Sequence, residues 1–198
     1  MAAEQERPTV ARHRHNFSIA RRFVPTDSLV FLDESGAQHH MTRRYGRAPR
    51  GRRCVDHTPH GHWRITTMLS AIRASGVIQD ATIITNQPMN GAVFAGYVEH
   101  CLTPSLRPGD VVVMDNLSCH RSGDVARAIE AADASVWYLP PYSPDLNPIE
   151  KLWSKVKAWL RRHRPPDFDA VGRRLVEVLR AVRPDECLNY FRSCGYGQ

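Results

Sequence analysis

One run restricts the fold of this 198-residue chain more than any other: Asp110-Val111-Val112-Val113-Met114-Asp115-Asn116. Four consecutive apolar residues, three of them β-branched, read as a strand covered on both faces. A strand of that kind needs helices on each side of its sheet, which points to an α/β architecture. The run ends in an acid, Asp115.

The rest of the chain supplies the layers. Residues 28–34, with Leu29-Val30-Phe31-Leu32, predict a buried strand that ends in Asp33 and Glu34 and is followed by a Ser35-Gly36 turn. Two β-branched runs, 63–72 and 81–85, flank a Ser75-Gly76 turn and predict an antiparallel meander with the first strand. Asn90-Gly91 opens a helix through Leu102, closed by Pro104 and Pro108-Gly109. Residues 121–133 are helical in pattern, and 136–139 form a short strand. Leu139-Pro140-Pro141-Tyr142-Ser143-Pro144-Asp145-Leu146-Asn147-Pro148-Ile149-Glu150 then carries four prolines. It predicts a stiff lead-in that stops at a polar N-cap, Asn147, with proline at the first helical position. Ile149, Leu152, Trp153, Val156, Trp159 and Leu160 recur at helical spacing beyond it. An amphipathic helix over 170–182 and a last short one over 185–190 complete the order. Residues 1–27, with a short helix between Pro8 and Pro25, read as an N-terminal linker or arm to a single domain over 28–198. Three strands, helix, strand, helix, strand and further helices make a mixed five-stranded sheet flanked by helices, the order of the ribonuclease H-like fold.

Totals narrow the function. A 42% apolar content suits one good-sized domain. No apolar run approaches a membrane span and the N-terminus lacks a signal-peptide core, so a cytoplasmic, nucleoid-associated protein with no membrane partner is expected. Five cysteines, an odd number without a Cys-x-x-Cys pair, argue against a disulfide framework and predict reduced, mostly buried thiols. His57, His60 and His62 lack cysteines at matching spacing, so zinc is disfavoured and contact with phosphate or solvent is expected. The formal charge of +7, carried almost entirely by arginine, points to a polyanionic partner, with nucleic acid favoured.

Three carboxylates stand at the ends of elements: Asp33, Asp115 and Glu150. Each alone also fits a strand-end or helix-dipole role. In the ribonuclease H-like order the first and fourth strands are neighbours, which brings Asp33 and Asp115 within reach of a shared cation, with Glu150 closing the site from the side. Hard divalent ions, Mg²⁺ or Mn²⁺, take oxygen ligands and retain waters, so three carboxylates and a substrate phosphate suffice. Two such ions activate a water and stabilise the leaving oxygen in phosphodiester cleavage.

Phe31-Leu32-Asp33-Glu34-Ser35-Gly36, Val113-Met114-Asp115-Asn116 with His120, and the block from Leu139 to Glu150 resemble the three catalytic blocks of bacterial insertion-sequence transposases in the mariner superfamily, DDE endonucleases related to retroviral integrases. The 34 residues between Asp115 and Glu150 (116–149) match that branch. The resemblance runs from about residue 28 to the C-terminus and includes Tyr45-Gly46-Arg47 and Pro88-Met89-Asn90-Gly91. It implies Asp33, Asp115 and Glu150 as metal ligands, Asn116 and His120 near the site, and Glu34 supporting it. It further implies metal-dependent hydrolysis at transposon ends, then attack of the freed 3′-hydroxyl on target DNA. Such transposases carry an N-terminal helix-turn-helix region for their inverted repeats, whereas this chain begins almost at the catalytic blocks. A split reading frame, a truncated relic and a domain expressed alone are the three expectations for that difference.

Basic residues surround these blocks. The chain's three lysines, Lys151, Lys155 and Lys157, all follow Glu150. At about 100° per residue, Ser154, Lys157 and Arg161 fall in line below Glu150. This stripe is a candidate track for a DNA backbone, or an ordinary solvated face. Arg43, Arg44, Arg47, Arg50, Arg52 and Arg53 crowd one connection, expected to bind DNA or the partner subunit of a homodimer. His120 is read either as a scissile-phosphate contact or as a hydrogen-bonded cap. A nuclease of the same fold without strand transfer and an inactive DNA-binding remnant are the alternatives to a transposase.

Overall fold

Alternating apolar residues on one strand divide the core in two. The computed structural model describes residues 3–38, 41–43, 45–57 and 65–197. Strand β1 (Leu29–Gln38) buries Leu29 and Phe31 on one face and Val30 and Leu32 on the other. It pairs antiparallel with β2 (Ile65–Arg73), which pairs antiparallel with β3 (Gly76–Thr85). On its other edge β1 pairs parallel with β4 (Val111–Met114), which pairs parallel with β5 (Ser135–Tyr138). The sheet order among the described residues is β3-β2-β1-β4-β5, the expected mixed five-stranded arrangement. β4 is buried at all four positions, as its unbroken apolar run requires.

Helices cover both faces. Phe94 and Tyr97 of α2 (Gly91–Tyr97), a wider π turn over Val98–Leu102, and α3 (Gly123–Glu130) pack on the Val30, Leu32 and Val112 side. The predicted helix through Leu102 is therefore a short α-helix that widens. The opposite face takes α4 (Ile149–His163), α5 (Phe168–Arg180) and α6 (Pro184–Ser193). Asp167 caps α5 by accepting from the Ala170 N–H at 2.7 Å. Trp153 is fully buried whereas Trp159 is only half-buried, its ring stacked on His163 at 4.5 Å.

Several expectations need correction. β1 does not stop at Glu34, because Ser35 and Gly36 pair with Met68 and Thr67 and the strand runs on to Gln38. The parallel pairing with β4 does stop early, at Phe31↔Val113. Asp33 therefore lies beyond the end of the parallel segment while remaining inside the antiparallel one. Cys187 and Cys194 are buried, but Cys101 is half-buried and Cys54 is exposed in the arginine-rich connection. Arg44, His60, His62 and the first two residues of the 63–72 strand lie outside the described residues. Among the described residues, no helix is long and apolar enough to cross a membrane.

Residues 3–28 lie against the domain. Helix α1 (Pro8–Ala20) sets Phe17 edge-on to Trp137 of β5, with ring centroids 6.1 Å apart. Arg21 donates to the Cys194 carbonyl at 2.8 Å and lies over the Tyr196 ring.

A buried ion pair locks the end of the meander to the start of β4. Arg73 donates twice to Asp110, both at 2.6 Å, and once to the Ser105 carbonyl, while Asp110 also accepts from the Arg107 N–H. Removing one partner strands the other charge away from water. Asp110→Ala is expected to lower unfolding free energy by about 3–5 kcal/mol, read as a lower urea midpoint with an unchanged slope. An unchanged midpoint would show that the pair contributes nothing.

Candidate active site

Pairing register brings the first two carboxylates together. Asp33 and Asp115 each stand two residues beyond a partner in the Phe31↔Val113 pair, at the end of the β1–β4 ladder. β5 continues into the proline-rich segment through the Leu139 N–H, which donates to the Met114 carbonyl at 2.9 Å. That segment ends at α4, whose first turn carries Glu150. Asp33, Asp115 and Glu150 line one cavity of about 460 Å³, together with Asn116, Asn147 and Ser143.

The lead-in is held from three directions. Arg14 of α1 donates to Ser143 Oγ at 2.7 Å and to both oxygens of Asp145, at 2.9 and 2.6 Å. This fork holds the Asp145 carboxyl below the usual carboxylate range. Gln5 donates to the Tyr142 carbonyl at 2.7 Å, and Tyr142 adopts a left-handed φ of 56°. From the C-terminal side, the buried Tyr196 hydroxyl donates to the Leu146 carbonyl at 2.7 Å. Ser143 Oγ itself donates to the Pro141 carbonyl at 3.0 Å. Both functions of that hydroxyl are thus engaged in holding the turn.

Asn147 does not cap α4 as its position before Pro148 predicts. Its side chain, 3% exposed, turns to Asp33 and donates through Nδ2 to Oδ2 at 3.3 Å. The helix opens instead with the Glu150 N–H donating to the Asn147 carbonyl at 3.2 Å, and without a side-chain cap.

Asp33 is the electrostatic centre of the cavity. Burial, with the Glu150 carboxylate next in effect, pushes its carboxyl up to about 7, against the opposing hydrogen bond from the Glu34 N–H at 2.8 Å. Asp115 contributes further repulsion. Asp115 is itself open to solvent, and its Oδ1 lies 2.5 Å from Nδ1 of His120. That approach falls outside hydrogen-bonding geometry, since both His120 ring nitrogens lack a hydrogen-bond partner, so it is a close polar contact only. His120 is fully buried and its ring lies 4.2 Å from that of Phe94. It backs Asp115 from inside the protein.

The remaining candidates divide. Asn116 is exposed and lines the cavity. Glu34 follows the Val30 and Leu32 alternation to the opposite face, away from the cavity lining, and its Oε2 is buried without a partner. Lys155 is not free for DNA in this structure, because it is paired with Glu186 of α6. Lys151 is exposed, and Lys157 and Arg161 are half-buried. Arg43, Arg47, Arg50, Arg52 and Arg53 are exposed and make no ion pair among the described residues. Their connection is tied down by Arg164, whose guanidinium pairs with Asp56 and donates to the His57 carbonyl at 3.1 Å. Nothing in the amino-acid pattern announces Asn147, Arg14, Gln5 and Tyr196 as supports, because each reaches the site through tertiary contact.

These residues fit a hard divalent cation. Asp33, raised first by burial and then by the Glu150 and Asp115 carboxylates, shares one cavity with both of those acids, and the three side chains offer oxygen ligands only. Among the described residues, no three acidic, histidine or cysteine side chains are already drawn to ligand spacing.

Comparison with known proteins identifies the family and the fold. Residues 28–171 match the DDE superfamily endonuclease family. No curated protein matches the chain significantly by sequence. Among solved structures, the chain is similar to the Mos1 transposase paired-end complex with left transposon end, at TM-score 0.76 and 17% identity, covering 98% of this chain and 60% of that one. It is also similar to the Mos1 mariner paired end complex with Mn, at 0.75 and 19%, covering 98% and 59%. For the catalytic domain of Mos1 mariner transposase the values are 0.68 and 17%, covering 98% and 88%. At these identities the likeness shows the fold, the ribonuclease H-like arrangement expected from the strand order. The chain spans about three-fifths of the length of the first two.

Two outcomes follow from the geometry. Between about pH 4 and 7 the folded protein keeps a proton on Asp33 that the unfolded chain has released, so this carboxyl lowers stability as pH rises through that window. In EDTA, Asp33→Asn is expected to gain stability over the parent progressively from pH 4 to 7, by a few kcal/mol; a pH-independent difference would refute the burial argument. Arg14→Ala is expected to speed amide exchange at Leu146 and Asn147, whose N–H groups close the turn onto Ser143 and Pro144. Unchanged exchange there would mean that the α1 clasp does not hold the lead-in.

Proposed function

This chain belongs to the DDE superfamily endonuclease family, and from that premise we propose that it is the catalytic domain of a transposase that cuts DNA at transposon ends and joins them to target DNA. The observation that carries the reading is the meeting of Asp33, Asp115 and Glu150 in one cavity, each delivered by a different element.

Asp33, Asp115 and Glu150 are the residues that would hold two Mg²⁺ or Mn²⁺ ions. When bound, such ions supply Lewis acidity at the attacking and leaving oxygens of a phosphodiester. The protein's part is placement. Asp33 is fixed in the sheet, Asp115 is backed by His120, and Glu150 is set by a helix packed through Ile149, Leu152 and Trp153. Ser143, one of the two hydroxyl residues lining the cavity with Tyr142, is committed to Arg14 and the Pro141 carbonyl, and in this reading the nucleophile is a water or a DNA 3′-hydroxyl. In hydrolysis a water oxygen attacks phosphorus and the 3′-oxygen leaves as a hydroxyl. In strand transfer that 3′-hydroxyl attacks a target phosphodiester, forming one P–O bond as another breaks.

Lys151, Lys157 and Arg161 along α4, and Arg43, Arg47, Arg50, Arg52 and Arg53 on the tethered connection, are the cations offered to the DNA backbone. A homodimer holding two ends is part of the same reading.

The test uses the purified chain, Mn²⁺ or Mg²⁺, and labelled duplexes carrying the inverted repeats that flank the gene. Pre-cut ends incubated with target plasmid are expected to yield joined product, and cleavage without joining would indicate a nuclease instead. Glu150→Gln is expected to reduce cleavage on the order of a thousandfold while leaving DNA binding in gel shift intact. Equal activity in parent and variant would overturn the proposal.

A further inference from the structure

Asn147 carries a feature that a purely structural residue would avoid. The residue is 3% exposed, its Nδ2 donates to Asp33, and in that orientation its Oδ1, the atom that could accept from the start of α4, has no hydrogen-bond partner. An unpaired buried amide oxygen is unfavourable by about 1–3 kcal/mol, and a helix start left without a side-chain cap forgoes about 1 kcal/mol more. A leucine of nearly the same shape would incur no penalty from Oδ1. Both losses attach to one contact, the hydrogen bond to Asp33 Oδ2.

That contact completes the fixing of a carboxylate. The Glu34 N–H holds Oδ1 of Asp33 at 2.8 Å along the strand, and Asn147 Nδ2 holds Oδ2 at 3.3 Å from the loop before α4. With one donor on each oxygen, the carboxylate can neither spin about its Cβ–Cγ bond nor turn an oxygen away from the cavity. The donor also sits on the segment that delivers Glu150, three residues on, whose N–H donates to the Asn147 carbonyl.

We propose that Asn147 is a positioning residue of the carboxylate site, which sets the orientation of Asp33 for a divalent cation and couples it to the placement of Glu150. The assignment deepens the metal-dependent reading above and rests on it. Supporting groups of this kind are worth about 10–100-fold in metal affinity.

The test separates the two levels. Mn²⁺ affinity is measured by electron paramagnetic resonance of free Mn²⁺ against the parent, Asn147→Leu, Asn147→Ala and Asp33→Asn, with thermal melts of each in EDTA. Both Asn147 variants are expected to bind Mn²⁺ about tenfold more weakly than the parent, while both still unfold cooperatively in EDTA. Parent-like Mn²⁺ affinity in both variants would overturn the assignment and leave the metal site standing. Failure of both variants to fold would make Asn147 a structural residue and overturn it equally. A parent that binds Mn²⁺ no better than Asp33→Asn would sink the metal reading itself, and this assignment with it.

Discussion

A buried carboxylate with two other acids facing the same cavity is the constraint to which the surrounding structure answers. Asp33 is 7% exposed, and burial and the neighbouring acids together push its carboxyl up to about 7. A sheet does not place a charge in its centre without cause. Its position follows from the register: the parallel ladder with β4 ends at Phe31, and Asp33 projects from the same strand face where α4 has only begun to cover it. The antiparallel ladder with β2 continues to Gln38 and keeps the backbone of Asp33 rigid. One strand thus provides stiffness on one edge and an opening on the other.

The segment before α4 carries the opposing demand, to be irregular and yet fixed. Its prolines remove N–H donors and limit φ, but they do not hold the loop onto the domain. Arg14 and Gln5 from the N-terminal region and Tyr196 from the C-terminal end do so, reaching its side chains and carbonyls across 50 to 140 positions of sequence separation. The two ends of the described chain also touch each other, through Arg21 on Cys194 and Tyr196. The position of Glu150 accordingly depends on both ends of the chain as well as on its helix.

Much of this was legible in the sequence because it follows from periodicity. The buried run at Val111–Met114, the Ser75-Gly76 turn and the stripe from Ile149 to Leu160 each encode burial locally, and together they determine the sheet order and the meeting of Asp33 with Asp115. What escaped has a common physical character. Ser35-Gly36 has turn chemistry, yet pairing with Met68 and Thr67 overrides it. Asn147 has cap chemistry, yet a buried carboxylate competes for the same amide. Lys155 is one of the three lysines that follow Glu150, yet Glu186, 31 positions away, takes it. In each case a reading made from neighbouring residues lost to a tertiary partner, and one sequence does not display tertiary partners.

The loss of Lys155 to Glu186 reshapes the electrostatic argument for substrate. A uniform lysine stripe beneath Glu150 would have suggested DNA lying along the near end of α4. With Lys155 neutralised by α6, the open charge lies at Lys151 beside Glu150, at Lys157 and Arg161 farther along α4, and on the arginine connection, which Arg164 anchors at the other end of the helix. Helix α4 has 15 residues, a length of about 22 Å. At about 3.4 Å per phosphate along one strand, that separation spans roughly six or seven phosphates. Those cations stand along and beyond one rigid helix that begins at Glu150, so their positions relative to the carboxylates are fixed by the packing of α4 on the sheet.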